Sequence, residues 1–143
     1  MDAEHKRKLE ELLAMSQRPN LAKYLGIEFI DANKNKVAAR LDIHDNVKQP
    51  WGFIHGGAIV TLADSVAGVG SVFHVDNRTQ RFITTDLSCN FIRSLKYGTL
   101  IATATPINIG NQIHIWQVEV RDESDDSLIS LVTVRQLVSP KKD

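Results

Sequence analysis

The chain lacks most of the features that sort proteins into special classes. Cys89 is its only cysteine, so it can build neither an intrachain disulfide framework nor a metal cluster held by thiolates. Neither sign of charge dominates: 17 Lys and Arg stand against 17 Asp and Glu. That balance offers no basic surface for bulk nucleic-acid binding and no attraction to an anionic membrane. The opening residues Met1-Asp-Ala-Glu-His-Lys-Arg-Lys8 have no apolar region behind them, so no secretory signal is visible and a cytoplasmic setting is expected. There is no Gly-x-Gly-x-x-Gly and no P-loop. Ser65, Ser71 and Ser88 lack a Gly-x-Ser-x-Gly setting, which argues against a serine hydrolase. His5, His44, His55, His74 and His114 show no metal-ligand spacing, and Asp122–Asp126 lacks the glycine and final glutamate of a calcium loop, so no metal site is expected.

What the chain does have is one long run of small and apolar residues. The loop Gln49-Pro-Trp-Gly-Phe-Ile-His55 passes through Gly56-Gly57 into a stretch that reaches Val75, and Asp64 is the only formally charged residue in that stretch. Apolar residues fall on every side, so the run predicts a helix buried all round. Its length would suit a membrane span, but Asp64 near its middle, four glycines and no flanking basic cluster count against that. A carboxylate in such a helix loses hydration at a cost of several kcal/mol, on the order of a buried unpaired charge, unless it is paired or protonated.

The rest of the chain reads as one domain. Asp2–Gln17 predicts a helix with Leu9, Leu12, Leu13 and Met15 on one side, ended by Pro19. Asn20 caps a short helix over Leu21–Leu25 that Gly26 closes. Ile27–Ile30 is a first strand, Asn33-Lys-Asn35 a turn, and Val37, Ala39, Leu41 and Ile43 alternate as a second strand. Beyond the central run, Arg81–Arg93 predicts a long strand. Alternation puts Ile83, Thr85, Leu87, Cys89 and Phe91 on one face and Thr84, Asp86, Ser88 and Asn90 on the other. Thr99–Ile107, Ile113–Arg121 and Leu128–Val138 follow, joined by tight turns and therefore antiparallel. An α+β fold results, with a sheet of about six antiparallel strands curling around the one helix apolar enough to cover it.

Two features of the central run can carry chemistry. Glycines at a helix start let a group approach the free N–H donors at the positive end of the helix dipole, where a carbonyl oxygen gaining charge is stabilised. Gly56 and Gly57 could equally serve only the sharp turn into the helix, and Asp64 could be a structural carboxylate. Gly56 and Asp64 are eight residues apart, which is about 12 Å along a helix axis. A reacting carbonyl must lie within roughly 3 Å of both its donor and its attacking group. If both residues act, Asp64 comes from a second copy of the chain, with two helices antiparallel about a two-fold axis. Arg93 and Lys96, past the polar strand face, could meet a phosphate.

The pattern Gln49-Pro-x-Gly-x-x-His55-Gly-Gly-x6-Asp64, followed by Thr85-Asp-Leu-Ser-x-Asn-Phe-Ile-Arg93, resembles the hotdog-fold acyl-CoA thioesterases of the PaaI type. The likeness spans about residues 21–138, leaving 1–20 as an N-terminal helical extension and 139–143 as a tail. It implies a curved antiparallel sheet wrapped around one central helix, a homodimer and from it a homotetramer, and a carboxylate that acts across the dimer interface. The resemblance implies that Asp64 attacks the thioester or activates water, and that the Gly56 N–H polarises the thioester carbonyl. It places His55 and Gln49 beside the reacting group. Gly57, Thr84, Arg93 and Lys96 are the expected substrate contacts, with Thr84 near the place of a water-orienting hydroxyl. Where relatives carry Ser or Thr one turn after the carboxylate, this chain has Gly68. No cofactor is expected, since coenzyme A is part of the substrate. A non-catalytic acyl-CoA-binding protein is an alternative. A hotdog dehydratase or hydratase is disfavoured, because the residue five after Asp45 is Pro50 rather than His.

Overall fold

The computed structural model describes residues 1–142. Two helices lead the chain, α1 (Ala3–Ser16) and α2 (Leu21–Leu25). The Asp2 carboxylate caps α1 by accepting from the His5 N–H at 2.8 Å, and Asn20 caps α2 in the same way through Lys23. Gly26 ends α2 at φ +86°, a left-handed conformation that suits glycine. A hairpin follows, β1 (Glu28–Asn33) and β2 (Lys36–Asp42), whose turn is held by the Asn33 side chain accepting from the N–H groups of Asn35 and Lys36. After one 3-10 turn (Asp45–Val47) come α3 (Gly56–Val72), β3 (Gln80–Phe91), β4 (Thr99–Ile109), β5 (Ile113–Asp122) and β6 (Leu128–Pro140). Ser139 and Pro140, assigned to the tail by sequence, belong to β6, where they pair with Arg81 and Gln80.

All six strands form one antiparallel sheet in the order β1-β2-β4-β5-β6-β3, with β1 and β3 as its edges. α3 crosses the concave face, chiefly over β2, β4 and β5. Ala58, Ile59, Leu62, Ala63, Val66 and Ala67 recur at helical spacing and are buried against it. Beneath them β2 and β4 present Ala39, Ala102 and Ala104, small enough to let the helix axis come close, and β5 presents Trp116. No helix among the described residues is long and apolar enough to cross a membrane.

One expectation from sequence is corrected. α3 is not buried all round: the sheet covers one side, and Gly57, Thr61, Asp64, Ser65 and Gly68 form an exposed or half-exposed stripe on the other. The leucines of α1 lie outside the core. Its one buried residue is Lys8, whose Nζ donates to the Val75 carbonyl, while Leu13 and Met15 stay 64% and 53% exposed. The Asn77 side chain donates to Glu11 at 2.9 Å, and the His5 ring stacks on Phe73. Polar contacts with the end of α3 and the loop after it thus decide the pose of α1.

The last turn of α3 rests on a buried polar cluster. Ser71 Oγ donates to Gln136 Oε1, accepts from Trp116 Nε1 at 2.9 Å and lies 2.8 Å from His114 Nδ1. Burial, and then the neighbouring His74, pull the His114 pKa below its ordinary 6.5. Gly70 makes the close approach possible: a Cβ there would lie 2.6 Å from Trp116 Cη2.

Two predictions follow from this packing. Gly70→Ala should lower the unfolding free energy by about 1–3 kcal/mol, since Trp116 is hydrogen-bonded and cannot yield. Gly68→Ala, whose Cβ meets nothing nearer than 3.9 Å, should be neutral or stabilise by up to about 1 kcal/mol; urea titration of the two variants tests the contrast. For His114, a depressed folded pKa means that its contribution is complete above pH 6.5 and is lost as pH falls below it, because the unfolded chain then binds the proton first. A thermal-melting series from neutral pH down to about pH 5 should fall on the acid side, and His114→Gln should flatten that part of the curve.

Candidate active site

The loop before α3 is fixed by main-chain bonds at both ends. Ile54 N–H donates to the Leu95 carbonyl and His55 N–H to that of Val47. Between them Gln49 to Gly52 form a β-turn, with Pro50 second and Gly52 at φ +95°. The Trp51 N–H donates to Gln49 Oε1 at 2.6 Å. The oxygen of that side-chain amide is therefore engaged, and its NH2 remains to donate elsewhere.

His55 is the N-cap of α3, and its Nδ1 accepts from the Gly57 N–H at 2.8 Å. A ring nitrogen that accepts carries no proton, so neutral His55 holds its proton on Nε2, with the ring exposed. The Ala58 and Ile59 N–H groups donate to the His55 carbonyl. Of the first four N–H donors of the helix, only that of Gly56 finds no acceptor among the described residues. It is the free donor at the positive end of the helix. Gly56 opens into a recess of about 400 Å³ lined also by Gln49, Ile54, Ile59, Phe91, Ile92, Arg93 and Ser94. The structure thus brings Gln49, Gly56 and Arg93 to one hollow. Lys96 lies apart from that lining, its Nζ 4.8 Å from the Phe53 ring.

Asp64 stands two turns further along α3, half-exposed, and its Oδ1 accepts from Thr84 Oγ1 at 2.6 Å. Thr84 gets there through a β-bulge. Thr84 pairs with Gln136 and Asp86 with Arg135, so Thr85 is the extra residue. The alternation expected from sequence, which puts Thr84 on the face of Asp86, is thereby broken. Thr84 turns inward with Leu87 and Cys89. Nothing in the residue pattern of β3 marks the bulge; only the functional expectation for Thr84 pointed toward it. The hydroxyls beside Asp64 are turned back into the helix, Thr61 donating to the Gly57 carbonyl and Ser65 to that of Thr61.

Chemically, one end of α3 offers an unpaired donor with the Gln49 amide in the same recess, whose lining does not include His55, and its middle offers a carboxylate oriented by a hydroxyl. The first set suits an oxygen that gains negative charge, the second a proton acceptor or nucleophile. Comparison with known proteins gives the family. A model of the thioesterase superfamily matches residues 52–129. The 1,4-dihydroxy-2-naphthoyl-CoA hydrolase of Escherichia coli is 32% identical over 115 residues, 80% of this chain and 83% of that protein. A mutant of thioesterase PA1618 from Pseudomonas aeruginosa superposes with a TM-score of 0.85 at 26% identity, covering 92% of this chain and 94% of that one. The PaaI protein of Escherichia coli shares the fold, with a TM-score of 0.82 at 19% identity over 94% and 95% of the two chains. The sheet-around-helix architecture is the hotdog fold, and the chain belongs to the thioesterase superfamily.

Proposed function

We propose that this enzyme hydrolyses acyl-CoA thioesters to the carboxylic acid and free CoA, in a homodimer whose two sites each combine Asp64 of one subunit with the α3 N-terminus of the other. The observation that carries the reading is the Gly56 N–H, which has no acceptor among the described residues, while the only carboxylate on α3 lies about 12 Å further along the same helix. Two such helices, antiparallel about a two-fold axis, bring each Asp64 to the other's Gly56. The exposed stripe of Gly57, Thr61, Asp64, Ser65 and Gly68 is smooth enough for that approach, since its hydroxyls are satisfied internally. β3 leaves a twelve-residue edge with no strand beside it, and antiparallel pairing of two such edges would extend the sheet across the dimer. On the outer face, Ile83 and Leu137 are cross-strand neighbours that remain 57% and 38% exposed, which favours a further pairing of dimers into a tetramer.

In the reaction the thioester oxygen lies against the Gly56 N–H, with the Gln49 NH2 beside it. Asp64 takes a proton from water as the water oxygen bonds to the carbonyl carbon, the oxyanion collapses, the C–S bond breaks and the proton passes to the CoA sulfur. Direct attack by Asp64, giving a mixed anhydride that water then cleaves, uses the same groups and yields the same products. Thr84 fixes the carboxylate through Oδ1 and leaves Oδ2 to act. Gly57 permits the His55 cap, since a Cβ there would lie 2.9 Å from His55 Nδ1. Arg93 in the recess, with Lys96 beyond it, suits the phosphates of CoA.

Asp64→Asn should lower kcat by about 10²–10⁴-fold against acyl-CoA, with the dimer intact on size-exclusion chromatography. A subunit-mixing experiment tests the geometry. Gly56→Pro removes the N–H at a helix position that tolerates proline, and should be inactive. Refolding equal amounts of the two inactive variants together puts one wild-type site in each heterodimer. About one quarter of wild-type activity should return, because half the dimers are mixed and each has one working site of two. A mixture as inactive as its parts would show that the two groups do not meet across subunits.

A further inference from the structure

The proposed reaction leaves two exposed aromatic rings without a task. Trp51, in the Gln49–Gly52 turn, is 77% exposed, and Tyr97, close in the chain to the recess residues Arg93 and Ser94, is 76% exposed. An indole left in water forgoes the burial that makes so large a ring worth having. The two segments that carry these rings are laced together. The Ile54 N–H donates to the Leu95 carbonyl at 2.8 Å, Lys96 Nζ lies 4.8 Å from the Phe53 ring and Lys48 Nζ 4.7 Å from the Tyr97 ring. Lys48 also pairs with Asp45 at 3.5 Å, whereas Arg93 and Lys96 make no ion pair among the described residues. The recess beside the Gly56 donor is lined by apolar side chains as well as by Arg93. The Phe91 ring packs so closely that a Cβ on Gly56 would lie 3.1 Å from it, and Ile92 is next in the lining. Donor, apolar floor, cations and exposed rings all come from two short stretches of one chain, 48–56 and 91–97.

We infer that these rings bind the nucleotide end of CoA, with Trp51 as the platform on which the adenine stacks and Tyr97 as its flank. The inference rests on the thioesterase reading above and deepens it, because it assigns the handle by which the substrate is held. Adenine presents a π-face and the phosphates beside it a cluster of negative charge, so exposed rings set among Arg93 and Lys96 match both. The slim, uncharged pantetheine arm between nucleotide and thioester needs only a floor, which Phe91 and Ile92 supply. Lys48 already lies over the Tyr97 ring, which makes Trp51 the freer of the two for stacking. Its backbone is fixed before any ligand arrives, since the Trp51 N–H donates to Gln49 Oε1 in the recess. One subunit therefore holds both the nucleotide and the thioester oxygen, and its partner contributes the carboxylate.

The test compares benzoyl- and decanoyl-CoA with the corresponding pantetheine thioesters, which carry the same reacting group without the nucleotide. Wild type should favour the CoA esters in kcat/KM. Trp51→Ala should cut that ratio by about tenfold, the scale of one lost base–aromatic stack, and through KM rather than kcat. Trp51→Phe keeps a ring in place and should retain most of the ratio. A second readout needs no turnover. Free adenosine bisphosphate, the nucleotide portion of CoA, should quench the tryptophan fluorescence of wild type but not that of Trp51→Ala, because the other tryptophan, Trp116, is buried under α3. A ratio unchanged in Trp51→Ala, an equal loss on both kinds of ester, or a wild-type fluorescence that the nucleotide leaves unaltered would each overturn the inference while leaving the hydrolase reading standing. Failure of wild type to hydrolyse any of these esters would overturn both.

Discussion

The pitch of one α-helix governs this molecule. α3 has the free Gly56 donor at its tip and the Asp64 carboxylate in its middle, and the helical rise keeps them about 12 Å apart. No side-chain rotation closes that gap, because the rod is gripped along one side by the sheet. Ala39, Ala102 and Ala104 let it settle deep, and Gly70 lets it meet Trp116. A helix so held is a good ruler. On the proposed mechanism each copy of the chain would be incomplete in a defined way, and a two-fold axis would complete both copies at once.

Much of this was legible in the sequence because the relevant signals are local. Asn20 and Gly26 bracket α2 by cap chemistry, Asn33 shapes the β1–β2 turn, and alternation marks β2, β4 and β5. The single charge in the apolar run and the His-Gly-Gly step marked Asp64 and Gly56 as candidates by residue type, whereas Gln49, His55 and Thr84 entered through the family resemblance. What stayed hidden depends on registers and on contacts distant in sequence. The bulge at Thr85 reverses the side on which Thr84 lies, and bulges leave no reliable trace in composition. Lys8 reads as one more solvated lysine of an amphipathic helix until Val75, 67 residues away, accepts from it.

The misreading of α3 as buried on all sides has a different origin. Apolar pattern records the burial a segment needs where it works, whereas the single chain shows only the burial that chain supplies. Gly57, Thr61, Asp64, Ser65 and Gly68 are small or internally satisfied, and so are compatible with burial that the sheet does not provide. Under the proposed function, the difference between the expected and the observed exposure would be the strip that a second subunit and a substrate cover.

His55 shows how little freedom the site retains. Because its Nδ1 accepts from the Gly57 N–H, the neutral ring holds its proton on Nε2 and presents a donor outward. Capping therefore does two things together: it occupies the second N–H of the helix and fixes the tautomer of the imidazole. With Gly57 bound to His55, and Ala58 and Ile59 to its carbonyl, the positive end of α3 is focused on the single N–H of Gly56. A site that must distinguish a carbonyl oxygen from the oxyanion it becomes gains from donors already held in place, because no reorganisation is then needed as the charge develops. On the proposed mechanism the two glycines would serve that end differently. One bears the free donor, and the other makes room for the ring that leaves it free.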